Sequence, residues 1–237
     1  MSHPQSSAPR WRGPALVLAA VGAVFGALAL LAFWPQLRTG ALISDLERPE
    51  RRLVASQRLI ELGPQAVPAL IEVASDPAHP ARGDAVELLG RIGDPRAVPA
   101  LVAVEDPALQ RVRIEALAGL RGEEALRAVV ARLGDPDPEL ELSALAALED
   151  WPDPQGAQAA LLVPYLAHQG AGYRLHAARG LGHRRHAPAV PALMAHLDDP
   201  APAVREAAAW ALLQVGTPQA VQAVEAARAR GAVTFEE

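Results

Sequence analysis

Apolar residues recur along most of this chain at the spacing of one helical face, in short blocks separated by turn signals. From Arg82 to Gly90 they fall at Ala85, Val86, Leu88 and Leu89; Gly93-Asp94-Pro95 breaks the run, and Val98 to Val104 supplies a second apolar stripe. Positions three and four apart share a helix face, so the block predicts two helices joined by a turn. The block then returns. Val67-Pro68-Ala69-Leu70 recurs as Val98-Pro99-Ala100-Leu101 and Val190-Pro191-Ala192-Leu193, with a relative at Val163-Pro164-Tyr165-Leu166. Upstream of these phrases stand Arg52, Arg82, Arg113, Arg174 and Arg205, spaced by 30, 31, 61 and 31 residues, the 61 being two periods with one arginine missing. A fixed period near 31 means one small unit copied along the chain, stable only when stacked on its neighbours.

Six helical hairpins are expected, at residues 45–75, 76–105, 106–134, 135–169, 170–198 and 199–230. Asp76-Pro77, Asp106-Pro107, Asp135-Pro136 and Asp199-Pro200 open successive units; aspartate can cap a helix and proline suits its first turn. The proline of Val-Pro-Ala-Leu sits near the start of each second helix, where its missing amide costs little, so the phrase is punctuation rather than a binding motif. The fourth unit departs from the pattern, with Glu141 at the arginine position and a longer loop at 149–156. That makes it the expected weak joint or special surface.

The run from Asp199 through Arg205 to Leu212 resembles a HEAT repeat of the subtype found in phycobilisome lyases, and the resemblance covers roughly residues 45–230. It implies an all-α fold, a right-handed α-α superhelix of about six hairpins. It also implies a buried polar ladder between loop aspartates and helix arginines: Asp76 with Arg82, Asp106 with Arg113 and Asp199 with Arg205, with Arg52 and Arg174 as further members. The subtype is shared by proteins of many functions, so it fixes architecture and leaves activity open.

Composition removes several chemistries. All 22 basic residues of the 237 are arginine, and lysine, cysteine and asparagine are absent. There is no Schiff-base or phosphate-loop lysine, no thiolate nucleophile or zinc ligand, and no disulfide. A net charge of −5 argues against general nucleic-acid binding, which needs a basic surface. Five histidines, His168, His176, His183, His186 and His196, crowd one sector, but His183 and His186 flank Arg184-Arg185, whose charge repels a metal. Deoxyhypusine hydroxylase, an iron enzyme of similar repeats, carries His-Glu dipeptides that this chain lacks. No cofactor or catalytic set is expected.

At the N-terminus, 20 residues from Ala15 to Trp34 carry no charge or strongly polar group, about 30 Å as a helix and about the hydrocarbon thickness of a bilayer. Trp11 and Trp34 flank them as interfacial rings do. The reading is a tail at 1–13, a transmembrane signal anchor at 14–35, a linker at 36–44, the solenoid at 45–230 and a C-terminal tail at 231–237, in a bacterial single-pass membrane protein. Keeping Arg10 and Arg12 inside places the repeats outside, in the periplasm.

Residues 168–186 hold four arginines and no acid, whereas Asp135, Asp137, Glu139, Glu141, Glu149, Asp150 and Asp153 lie together. Such lopsided charge steers a complementary partner or favours self-association into a homo-oligomer. Trp151, Arg174, Arg179, His183, Arg184, Arg185 and His186 are the candidate contact residues, Trp151 as an exposed aromatic anchor. The expected function is a non-catalytic membrane-anchored scaffold that holds a protein or peptide along its second-helix surface. The alternatives are a chromophore-handling lyase or a DNA-binding protein.

Overall fold

The computed structural model describes residues 39–153 and 157–234. Twelve bounded α-helices among them fall in consecutive pairs: α1 Pro49–Leu62 and α2 Val67–Ser75; α3 Arg82–Ile92 and α4 Val98–Val102; α5 Gln110–Leu120 and α6 Glu123–Val130; α7 Pro138–Leu148 and α8 Ala159–Leu162; α9 Ala171–His183 and α10 Val190–Ala195; α11 Pro202–Val215 and α12 Pro218–Ala229. No strand occurs among the described residues. The fold is an all-α repeat solenoid, and the pairs are numbered here as hairpins 1 to 6.

Proline sets the boundaries. Pro68, Pro99 and Pro191 each stand in the first two positions of a second helix, where no amide is needed, and a short 3-10 turn leads into each. The Asp-Pro pairs act one step earlier than a helix cap. Asp76, Asp106, Asp135 and Asp199 each accept the amide of the residue two further on, Ala78, Ala108, Asp137 and Ala201, at 2.9–3.0 Å. Each carboxylate thus folds a tight turn between hairpins before the helix begins.

The first helices α3, α5, α7, α9 and α11 stack in one layer, and their buried positions are mostly Ala, Gly and Leu, with Gln110 and Arg113 of α5 the polar exceptions. Small residues let two of these joints close tightly. A Cβ on Gly90 would run into the backbone of Ala116, and one on Gly182 would meet Trp210 Cζ3 at 2.5 Å and Ala211 Cα at 2.8 Å. The second helices complete the core with Leu70, Leu101, Leu162 and Leu193, all fully buried.

Several boundaries differ from those the sequence suggested. The transmembrane segment expected at 14–35 and the tail before it lie outside the described residues. Among the described residues no helix is long and apolar enough to cross a membrane, so the single-pass membrane localisation and its extracytoplasmic repeat domain do not stand. Residues 39–44, expected as linker, are helical as far as the structure describes them, in a stretch that runs on to the fully buried Leu46. At the other end Val233 is buried and the Ala232 carbonyl accepts Arg205 Nε at 2.7 Å, so residues 231–234 pack against hairpin 6 instead of trailing from it.

Candidate functional site

The recurring arginines hold backbone first and carboxylates second. Arg52, Arg174 and Arg205 donate to the carbonyls of Leu46, His168 and Asp199, each six residues upstream, and Arg82 donates to Ala74. A guanidinium fork suits this task, since it reaches orphan carbonyls at the end of one hairpin while anchored in the next. The ion pairs run between hairpins, not within them. Arg82 meets Asp106 of hairpin 3 at 3.3 Å, and Arg174 grips Asp199 of hairpin 6 bidentately at 2.8 and 2.9 Å. The pairings expected of Asp76 with Arg82, Asp106 with Arg113 and Asp199 with Arg205 side chain to side chain are therefore corrected: Asp76 is exposed and makes only its local turn, and Arg205 touches the backbone of Asp199. Asp106 and Asp199, each accepting the amide two residues on, face the first-helix arginine of the preceding hairpin.

Hairpins 3 and 4 use other residues for the same job. In α5 it is Gln110, not Arg113, that donates to the carbonyl six residues upstream, Val104, and also to Asp106. Arg113 donates to the Gln110 side chain at 2.6 Å. In α7, Glu141 inverts the polarity. It accepts the Gly134 amide at 2.9 Å and the Tyr165 hydroxyl at 2.8 Å, so the loop is still tied to the helix, through an N–H in place of a C=O. Desolvation, and then the hydrogen bond to Glu141, push the Tyr165 phenol up to about 12. The Arg174 guanidinium holds the Asp199 carboxyl down at about 2, against the opposing effect of burial.

Of the residues expected to meet a partner, several are committed to the interior. Trp151 is 4% exposed, with Arg121 lying 5.4 Å over its ring, so it is not an exposed anchor. The Arg184 side chain is 4% exposed; it donates to the carbonyls of Glu149 and Trp151 at 2.8 and 3.0 Å and stands 3.6 Å from the buried Asp153 carboxylate. It therefore closes the end of α7 and holds residues 149–153, the described part of the long fourth-unit loop. Arg174 belongs to the ion pair above. Arg179, His183 and Arg185 are exposed and His186 half-buried.

The five clustered histidines separate into distinct surroundings. His168 accepts the Gly170 amide against the Tyr173 ring, and His196 meets Asp199 at 3.1 Å. His176 lies 2.8 Å from Glu149, which also faces Arg179 at 3.8 Å and His183 at 3.9 Å. Among the described residues, no group of three histidines, cysteines, aspartates or glutamates is placed to hold a metal.

Glu149 marks the wall of an open pocket of about 710 Å³ between the exposed faces of α9 and α11. Arg179 and His183 line one side and Glu206 and Trp210 the other, with the His183 ring edge-on to Trp210 at 4.8 Å. The pocket thus lies on first helices, whereas recognition was expected on the second. Glu206 and Trp210 were missed from the sequence, although Trp210 follows Arg205 at the same interval, five residues, as Arg179 follows Arg174. The pocket combines one aromatic surface with charges of both signs, a set suited to holding a peptide segment.

The family model for HEAT repeats matches residues 40–121 and 159–234, more than half of the chain. The stretch it leaves, 122–158, contains α6, α7 and the inverted Glu141 joint. No curated protein matches. Among solved structures, an engineered protein is 20% identical with a TM-score of 0.49, over 79% of this chain and 60% of its own. The complex of CpcE and CpcF of phycocyanin lyase from Nostoc sp. is 22% identical with a TM-score of 0.43, over 97% and 98%. A designed armadillo repeat protein in complex with the peptide (KR)4 is 19% identical with a TM-score of 0.47, over 84% and 89%. On the family match and the stacked hairpins described above, the chain belongs to the HEAT-repeat family.

Proposed function

We propose that this chain is a non-catalytic scaffold that holds a protein or peptide partner on the first-helix face of hairpins 5 and 6. The supporting observation is the pocket between α9 and α11. The recurring arginines and loop aspartates of the described residues are engaged with their own chain, yet Arg179, His183, Glu206 and Trp210 remain at an open concavity. Stacked hairpins pre-order such a surface, so binding requires little reorganisation and several modest contacts add. An aromatic flanked by unlike charges selects orientation as well as affinity.

The test uses the full chain with a photo-crosslinker at position 210. A partner trapped there, and lost when Arg179→Glu and Glu206→Arg reverse the charges on both walls, supports the reading. Both positions are exposed, so the variants keep their fold, which circular dichroism checks. Trapping that is indifferent to both reversals excludes this pocket as the binding surface.

A further inference from the structure

The two ends of the described solenoid are finished differently. On α12 the exposed residues include Gln219, Gln222 and Glu225, the polar covering that a row of repeats requires at its end. α1 lacks such a covering. Ala55 and Leu59 turn into the core, so helical spacing carries Glu50, Val54, Gln57 and Glu61 to the opposite side, with Leu53 beside them. Leu53 is 70% and Val54 53% exposed, more than any other large apolar side chain among the described residues. Along this face the helical stretch at 39–46 and α1 enclose two adjoining shallow concavities of about 370 and 320 Å³, which share Leu42 and Arg58.

The charges on this face are unpaired. Asp45 is held by Arg48 and Arg51, and Asp84 draws Arg52, whereas Glu50 and Arg58 have no ion pair among the described residues. They stand one turn before and one turn after Val54. A helix with this order, acid, apolar residue and base at intervals of four, is complementary to itself when reversed. With Val54 on a two-fold axis, Glu50 of each copy meets Arg58 of the other, and Val54 meets Val54. Residues 1–38 match the face less well, because they contain Arg10, Arg12 and Arg38 and no acid with which to answer Arg58.

We propose that α1 is a homodimer surface, on which a second copy of this chain packs its own α1 antiparallel across Val54. The contact covers Leu53 and Val54 of both copies and forms two Glu50–Arg58 ion pairs. An isologous contact of this kind closes on itself, so association stops at two. Three stacked hairpins separate hairpin 1 from hairpins 5 and 6, and the surface shares no residue with the pocket between α9 and α11.

Sedimentation equilibrium of the full chain from about 1 to about 100 μM tests this, because a contact built on two 14-residue helices should associate in the micromolar range. The expected result is a monomer–dimer equilibrium. Glu50→Arg and Arg58→Glu, each alone, replace both ion pairs with like charges and should raise the dissociation constant about thirtyfold. Mixed in equal amounts, the two variants present opposite charges to each other and should form a heterodimer about as tight as the wild-type pair. Val54→Asp sets two carboxylates on the axis and should leave a monomer. All three positions are exposed, so the variants keep their fold, which circular dichroism checks. A wild-type chain that stays monomeric throughout, as it would if residues 1–38 cover the face, overturns the proposal. So does association that neither charge reversal weakens, or a pair of reversed variants that mixing fails to bring together.

Discussion

The joint between hairpins 5 and 6 and the joint between hairpins 3 and 4 occupy corresponding places in the repeat and solve different electrostatic problems. At the first, Arg174 and Asp199 form a bidentate pair, 11% and 3% exposed, and Gly182 lets α9 and α11 touch at the backbone. At the second, Arg113 has only an amide oxygen, and the loop aspartate is engaged with Arg132. Both joints still tie loop backbone to the first helix. The difference shows that the constant element of the repeat is the grip on loop backbone, by Arg205 at the first joint and by Glu141 at the second, while the ion pair is an addition that a hairpin can lack.

Removing the arginine from each joint tests this most strongly. Arg174→Met strands a buried Asp199 and frees two loop carbonyls, so unfolding free energy should fall by about 4 kcal/mol in urea titration. Arg113→Met removes a buried charge that has only an amide oxygen as its partner, so it should lie within about 0.5 kcal/mol of wild type. Equal losses would erase the distinction between the joints. Gly182→Ala places a methyl against the backbone of Ala211 and should cost about 3 kcal/mol, measured as a lower urea midpoint.

Acid should separate the joints by a smaller amount. Asp199 titrates well below the usual carboxylate range, so its pairing contributes stability above about pH 4 that is lost as pH falls toward 2. The loss should be on the order of 2 kcal/mol between pH 5 and pH 2, and Asp199→Asn should flatten that part of the profile. Smallest is a gain. Arg185 holds φ at 49°, in the left-handed region that Gly93 and Gly216 occupy in the equivalent turns of hairpins 2 and 6. Arg185→Gly should raise stability by about 1 kcal/mol, seen as a higher Tm, because the left-handed penalty for a side chain disappears.

The helices were legible because their signals are local: alanine and leucine at helical spacing, proline at the second-helix start, aspartate-proline in the turns. The partners were not. The 31-residue spacing points to Arg113, but a rotation along α5 brings Gln110 to the loop carbonyls, and only the packed helix shows which side chain arrives. Asp76 and Arg82 are neighbours in sequence, yet Asp76 stays in its own turn and Arg82 is met by the loop aspartate of the next hairpin, so its ionic partner is 24 residues away. Trp151 reads as loop and is core because Arg184 draws the end of α7 inward beneath it. Of the pocket, Arg179 and His183 stood out as part of a basic run; Glu206 and Trp210 sit in an alanine-rich stripe whose exposed face is set by how α11 meets α9.

The reach of Arg82 to Asp106, and of Arg174 to Asp199, also defines where this chain can be cut and recombined. A module excised at the turns would carry an arginine away from its acid, leaving one unmatched end on each fragment. The exchangeable unit instead runs from within one first helix to the same point in the next, so that each transplanted piece brings its loop aspartate and receives its arginine from the host. Hairpin 4, which answers a backbone amide with Glu141, fits only behind a neighbour that presents one. Its place in the row is fixed by polarity, and shuffling it elsewhere would leave a carboxylate against carbonyl oxygens.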